Sequence, residues 1–165
     1  MRVTYLEQNE PAVPPALYWG SERVSLERMT RENYLTLYRR VGDALQWSRR
    51  SPVPPAQLDA MLGGGDLHVY LLRDVRDEAL GFCEFDRRRF PQIELKNFGL
   101  VAEARGRGLG QWLLATALHG EWRSNPDRIW LHTDALDHLA AVQTYQRAGF
   151  RVFDVRDEPA KPPVS

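Results

Sequence analysis

The chain has 165 residues, which is one domain's worth, and its 43% hydrophobic and 27% charged content fits a folded domain and excludes a disordered one. Lys+Arg and Asp+Glu both number 22, so the net charge is zero and binding driven by bulk attraction to a phosphate backbone is not expected. No apolar run reaches a membrane span, the charged Met1–Glu10 does not suit a signal peptide, and the single Cys83 excludes an intramolecular disulfide framework or a multi-thiolate zinc site.

These features lead to the expectation of a soluble, cytoplasmic protein with no nucleic-acid or membrane partner. In chain order, Val3 and Tyr5 alternate with polar neighbours, which predicts a short edge strand leading into a proline-rich connector with Pro11, Pro14 and Pro15. Residues 1–21 are read as this strand and extended arm, 22–157 as the functional domain and 158–165 as a loose tail. Val24, Leu26 and Met29 predict a strand. Thr30 is placed to cap a helix running to Val41, on which Tyr34, Leu35, Leu37, Tyr38 and Val41 follow helical spacing. A short helix is expected over Pro55–Leu62, ended by Gly63, Gly64 and Gly65.

Three strand-like runs follow, Leu67–Leu72, Ala79–Phe85 and Ile93–Val101, the first two joined by a charged hairpin turn at Asp74–Glu78. Leu109–Trp122 reads as a helix, and the apolar run Ile129, Trp130, Leu131 predicts a strand covered on both faces. A second helix is expected over Leu139–Ala148, with Asp137 as N-cap and Gly149 just past its end. Phe150, Val152 and Val155 suggest a last strand. The order predicts a mixed α/β (α+β) sheet in a single domain.

The most informative stretch is Arg105-Gly106-Arg107-Gly108-Leu109-Gly110-Gln111, which follows a strand and opens a helix. Glycines there allow close backbone approach, the first helical N–H groups have no intrahelical partner, and the helix dipole favours an anion. Arg105 and Arg107 add charge-assisted donors, so a phosphate or pyrophosphate is the expected ligand. The P-loop pattern is absent, since Gln111 and Trp112 stand where Lys and Ser or Thr belong. The position after several antiparallel-looking strands does not suit a dinucleotide fingerprint.

Arg105-x-x-Gly108-x-Gly110 resembles the coenzyme A pyrophosphate motif of the GCN5-related N-acetyltransferase (GNAT) superfamily. Asp137-His138-x-x-Ala141-x-x-x-Tyr145-x-x-x-Gly149-Phe150 resembles that family's last conserved block, in the right order and at the right separation. Glu94-Leu95-Lys96-Asn97-Phe98-Gly99-Leu100 and Leu131-His132-Thr133 are similar to one bacterial branch. The resemblance spans roughly residues 22–153 and implies a mixed central sheet with a splayed strand pair and flanking helices. It implies acetyl transfer from acetyl-CoA to a primary amine, by direct attack in a ternary complex and without a metal.

Residue by residue, it implies that the backbone of Leu100, Val101 and Ala102 meets the pantetheine arm and that Arg105, Gly106, Arg107, Gly108, Leu109, Gly110 and Gln111 cradle the pyrophosphate. Tyr145 would donate to the departing sulfur, with core packing as its plainer role. Glu94 would serve as general base or simply stand as a strand carboxylate, and both readings stay open. His138 stands where the family often has Asn and is a further coenzyme contact. Tyr38, Trp47 and Arg50 fall in the region that covers the acceptor side in relatives.

Several other groups have simpler readings. His68, His119, His132 and His138 lack metal-ligand spacing, so no metal is expected. Cys83, beside Phe82 and Phe85, reads as a buried small residue. Arg87, Arg88 and Arg89 form a basic turn that is either solvated or directed at a coenzyme phosphate. The acceptor is expected to be a small-molecule or peptide amine, and the chain a monomer or homodimer. A protein N-terminal or lysine acetyltransferase and a non-catalytic acyl-CoA sensor are the alternative functions.

Overall fold

The computed structural model describes residues 1–12, 18–45, 53–134 and 139–159. Seven strands form one mixed sheet: β1 (Arg2–Gln8), β2 (Arg23–Glu27), β3 (Leu67–Arg73), β4 (Ala79–Asp86), β5 (Gln92–Leu100), β6 (Arg128–Asp134) and β7 (Arg151–Asp157). The helices are α1 (Arg31–Leu45), α2 (Pro55–Gly63), α3 (Leu109–Trp122) and α4 (Leu139–Arg147). The strand order is β2-β3-β4-β5-β6-β1-β7, so the α/β architecture expected from the sequence is the one observed.

Local chemistry sets most boundaries. Thr30 Oγ1 accepts the Asn33 N–H at 3.2 Å and caps α1 as expected. That helix continues through Gly42 to Leu45 instead of stopping at Val41; a glycine inside a helix costs only about 1 kcal/mol and does not end one by itself. At Asp74–Glu78 the Asp74 carboxylate accepts the N–H groups of Arg76 and Glu78, closing the β3–β4 hairpin. Gly149 follows α4 at φ +100°, the left-handed turn expected after a helix.

Two strand expectations are corrected. β1 is not an edge strand: it lies between β6 and β7, antiparallel to both. Residues from both its faces are buried, Val3 and Leu6 among them, and Gln8 closes the strand at 3% exposure. Its Nε2 donates to the Ala148 carbonyl at the end of α4, and its Oε1 accepts from Trp122 Nε1 at 2.6 Å at the end of α3. β6 is covered on one face only, since Ile129, Leu131 and Thr133 are buried while Trp130 is half-buried and His132 exposed.

α1 and α3 cover opposite faces of the sheet. Tyr34 of α1 meets Phe82 edge-on and bonds to Glu84, whereas α3 lays Glu121 against Tyr70, on the face that Tyr70 shares with Cys83. Cys83 is fully buried in the core. Glu121, 1% exposed, accepts from Tyr70 Oη at 2.6 Å and from Arg87 Nη1 at 2.7 Å, and lies 2.7 Å from His68 Nδ1. Burial would raise its carboxyl, but His68, Tyr70 and Arg87 outweigh burial and hold it below the ordinary carboxyl range.

A carboxyl lowered in the fold stabilises above its unfolded pKa, and that contribution disappears as pH falls through the folded value. Urea unfolding across pH is therefore expected to show a loss of stability on acidification that is shallower in Glu121→Gln. The variant should be about 2–4 kcal/mol less stable at neutral pH, because Arg87 loses its charged partner. An unchanged acid limb would show that Glu121 does not carry this dependence.

Candidate active site

β5 and β6 run parallel and pair only at Gln92↔Arg128, Ile93↔Ile129 and Glu94↔Trp130. Beyond Glu94 the two strands part. Among the described residues, the rest of β5 pairs with β4 alone, while Leu131–Asp134 pairs with Val3–Leu6 of β1. The register of β4 against β5 passes from Glu84↔Asn97 to Phe85↔Leu95, which leaves Lys96 as the extra residue of a bulge beside the point of parting.

Backbone groups in this wedge face two ways. The Val101 N–H donates to the Leu80 carbonyl at 2.8 Å and is turned toward β4. Because successive residues present their polar groups to opposite edges, the Leu100 N–H and C=O face the gap. The Leu100 carbonyl accepts Arg105 Nη2 at 3.0 Å. Ala102 has left the strand and begins a short 3-10 turn, Ala102–Ala104.

The glycine-rich loop closes the mouth of the wedge. Gly106 and Gly108 both take φ +76°, a left-handed conformation open to glycine and strained for other residues, and no atom crowds either α-carbon. Gly108 is the N-cap of α3 and has no side chain to cap it, so among the described residues the first-turn N–H groups are open to an external acceptor. Leu109 is buried and anchors that turn in the core. At Gly110 an added Cβ would lie 3.5 Å from Leu100, which shows how closely α3 approaches β5. These donors, with two arginines beside them, fit a pyrophosphate.

Three side chains of the loop already have protein partners. Arg105 reaches back to Leu100, Arg107 pairs with Glu22, and Gln111 Nε2 donates to the Thr144 carbonyl of α4 at 3.3 Å. Gln111 thus fastens α4 to the start of α3, next to Tyr145. The Tyr145 ring stands 6.0 Å from Phe98 of β5 and 6.0 Å from Phe150, which follows α4, and so ties α4 to the β5 arm of the wedge.

Glu94 sits on the last rung shared by β5 and β6, its side chain 14% exposed and 3.0 Å from Lys96 Nζ. On the same sheet face, two positions back from its partner Asp86, lies Glu84, which the sequence reading passed over. Glu84 is 4% exposed, accepts from Tyr34 Oη, and takes Asn97 Nδ2 at 3.3 Å. Burial raises its carboxyl in spite of those two donors. The signal available in the sequence was a lone carboxylate inside the apolar strand Leu80-Gly81-Phe82-Cys83-Glu84-Phe85.

Tyr38 is half-buried and stacks on Tyr34 at 6.0 Å, which puts it beside this carboxylate group. Trp47, Arg50, Asp137 and His138 lie outside the described residues. The basic turn is not directed at a coenzyme phosphate. It lies at the opposite end of β5 from the loop, with Arg87 on Glu121 and Ser124 and Arg88 on Asp86.

The family model described as the acetyltransferase (GNAT) family matches residues 31–150. Mycothiol acetyltransferase of Mycobacterium avium is 39% identical over 70 residues, covering 38% of this chain and 22% of that protein. Among solved structures, a GCN5-related N-acetyltransferase from Sphaerobacter thermophilus superposes with a TM-score of 0.61 at 16% identity, over 93% of this chain and 49% of that one. The Bacillus subtilis acetyltransferase in complex with CoA gives 0.60 at 19% identity, over 79% of this chain and 76% of that one. A tandem GNAT protein from the clavulanic acid biosynthesis pathway gives 0.69 at 14% identity, over 93% and 51%.

The chain spans about a fifth of the curated relatives it matches, and about half of the first of these structures. The matched family region begins with α1 and ends just past α4, and so takes in the wedge, the loop and Tyr145. On that match, the chain belongs to the GNAT acetyltransferase family.

Proposed function

We propose that this protein is an N-acetyltransferase that moves an acetyl group from acetyl-CoA to a primary amine by direct attack in a ternary complex. The observation that supports this most is the wedge between β5 and β6, which ends in an uncapped, glycine-rich helix start. An elongated ligand with an anionic middle and a thin polar arm suits both parts at once. When bound, acetyl-CoA supplies the acetyl group already activated as a thioester.

The chain's own groups then have distinct tasks. The first turn of α3, with Arg105 and Arg107, holds the pyrophosphate, and for Arg107 this means sharing its guanidinium between Glu22 and the ligand. The gap-facing Leu100 N–H and C=O hold the amide-bearing arm and orient the acetyl carbonyl. Tyr145 donates its phenolic proton to the departing sulfur. A lysine-like amine has a pKa of about 10.4 and must lose a proton to attack, and Glu94 at the apex of the wedge takes it. The setting expected for this reaction is cytoplasmic, and the acceptor a small molecule or a peptide amine.

Calorimetric titration with acetyl-CoA, with ATP and NAD as controls, tests the coenzyme half of this reading. Micromolar binding of acetyl-CoA alone is the expected result, and an absence of heat would overturn it. For the chemical half, Tyr145→Phe should lower turnover about 10²-fold with acetyl-CoA affinity changed less than twofold. Unchanged turnover removes Tyr145 from the proton-donor role.

Glu94→Gln should lower turnover about 10²-fold near neutral pH, with the deficit narrowing as pH approaches that of a neutral amine. Rates measured from pH 6 to 10 on an active acceptor check this, and a profile parallel to wild type at every pH would exclude Glu94 as the base.

A further inference from the structure

Trp19 is 89% exposed, whereas Trp122 is buried and Trp112 and Trp130 are half-buried. Its neighbours on either side are anchored. The Tyr18 ring stacks on Trp112 with centroids 4.2 Å apart, and its hydroxyl donates to Glu22 Oε2 at 2.6 Å. Glu22 in turn holds Arg107, and its side chain is only 7% exposed. Between them, a Cβ on Gly20 would lie 2.2 Å from Tyr18 Oη, so the absence of a side chain there lets the Tyr18 ring fold back over the turn. Residues 18–22 thus form a tight turn fastened to α3 by Trp112 and to the glycine-rich loop by Arg107, with Trp19 projecting from it into solvent.

The geometry points to Trp19 as the stacking surface for the adenine base of the coenzyme. This rests on the acyl-CoA reading above and adds to it a residue from outside the glycine-rich loop. In the coenzyme the pantetheine arm and the adenosine leave the pyrophosphate in opposite directions. With the arm in the wedge and the phosphates on the first turn of α3, the adenosine is carried outward from the loop. A flat aromatic ring carried at that rim, on a turn that Tyr18 and Glu22 fasten to Trp112 and Arg107, offers a base an apolar partner that makes no demand on hydrogen-bond pattern. The same contacts fix the turn that carries Trp19 before the ligand arrives, which lowers the ordering cost of binding.

The test is calorimetric titration of the full chain with coenzyme A and, separately, with 4′-phosphopantetheine, which lacks the adenosine together with its 3′-phosphate and the second phosphate of the pyrophosphate. Trp19→Ala should weaken coenzyme A binding about tenfold and leave 4′-phosphopantetheine within twofold of wild type, while Trp19→Phe retains most of the affinity. Tryptophan emission gives an independent readout: coenzyme A should quench a component in wild type that Trp19→Phe lacks. Equal coenzyme A affinity in Trp19→Ala and wild type would overturn the assignment. So would a parallel loss for both ligands, because Trp19 would then act on the loop and not on the base. Failure of the acyl-CoA reading is distinct, since wild type itself would not bind coenzyme A, and the assignment would fall with it.

Discussion

The end of the β5–β6 ladder after three rungs is the constraint on which the rest of the site depends. A parallel pair that continued past Glu94 and Trp130 would satisfy its own backbone groups and leave no gap. Two features hold the strands apart. The bulge at Lys96 turns β5 toward β4, and β1, paired to β6 over six register positions, draws β6 the other way. Backbone groups left over on the β5 side of the wedge are therefore a consequence of pairing elsewhere in the sheet. The loop that follows inherits its place from the same splay, because α3 starts where β5 ends.

A wedge needs stiff arms, and buried polar groups supply much of the stiffness here. The Gln8 amide joins the C-terminal ends of α3 and α4 to β1, while Gln111 joins the two helices near the start of α3. Glu121 holds β3, the turn after β4 and α3 together through Tyr70, His68 and Arg87. Gln8 and Glu121 lie well inside the fold, where an unmatched donor or acceptor is costly, so their contacts specify one arrangement of the arms. The Tyr145 ring, set between Phe98 of β5 and Phe150 just past α4, keeps its place only if β5 and α4 keep theirs.

Local chemistry was legible in the sequence wherever one segment decided its own structure. The bounds of α3 follow from its glycine-rich start and apolar stripe, and the capping of α1 by Thr30 follows from its side chain. What depended on distant neighbours was not legible. Val3 and Tyr5 announce a strand, but nothing near them announces that β6 and β7 will flank it; the partners lie more than a hundred residues away in the chain. The run Ile129-Trp130-Leu131 suggested burial on both faces because a tryptophan counts as apolar. In the structure Arg128 lies over that ring, a half-exposed setting that its hydropathy does not report. The arginines at 87 and 88 have buried or half-buried carboxylates as partners, and a carboxylate's burial is decided by the fold.

Glu84 and Glu94 show the same limit at the reacting end of the molecule. Both are acidic residues on adjacent strands, and the sequence favours only Glu94, by its distance from the loop. The fold separates them by solvation. Glu84 is buried, its carboxyl raised, and its oxygens occupied by Tyr34 and Asn97 beside the bulge. Glu94 retains some exposure and a cationic neighbour in Lys96. Glu84, withdrawn from solvent and bonded to Tyr34 and Asn97, is placed to brace the strand from behind. The bulge that Glu84 braces is the one that parts β5 from β6. The two carboxylates therefore divide the work between them: one supports the shape of the wedge, and the other stands at its apex, where the amine's proton must go.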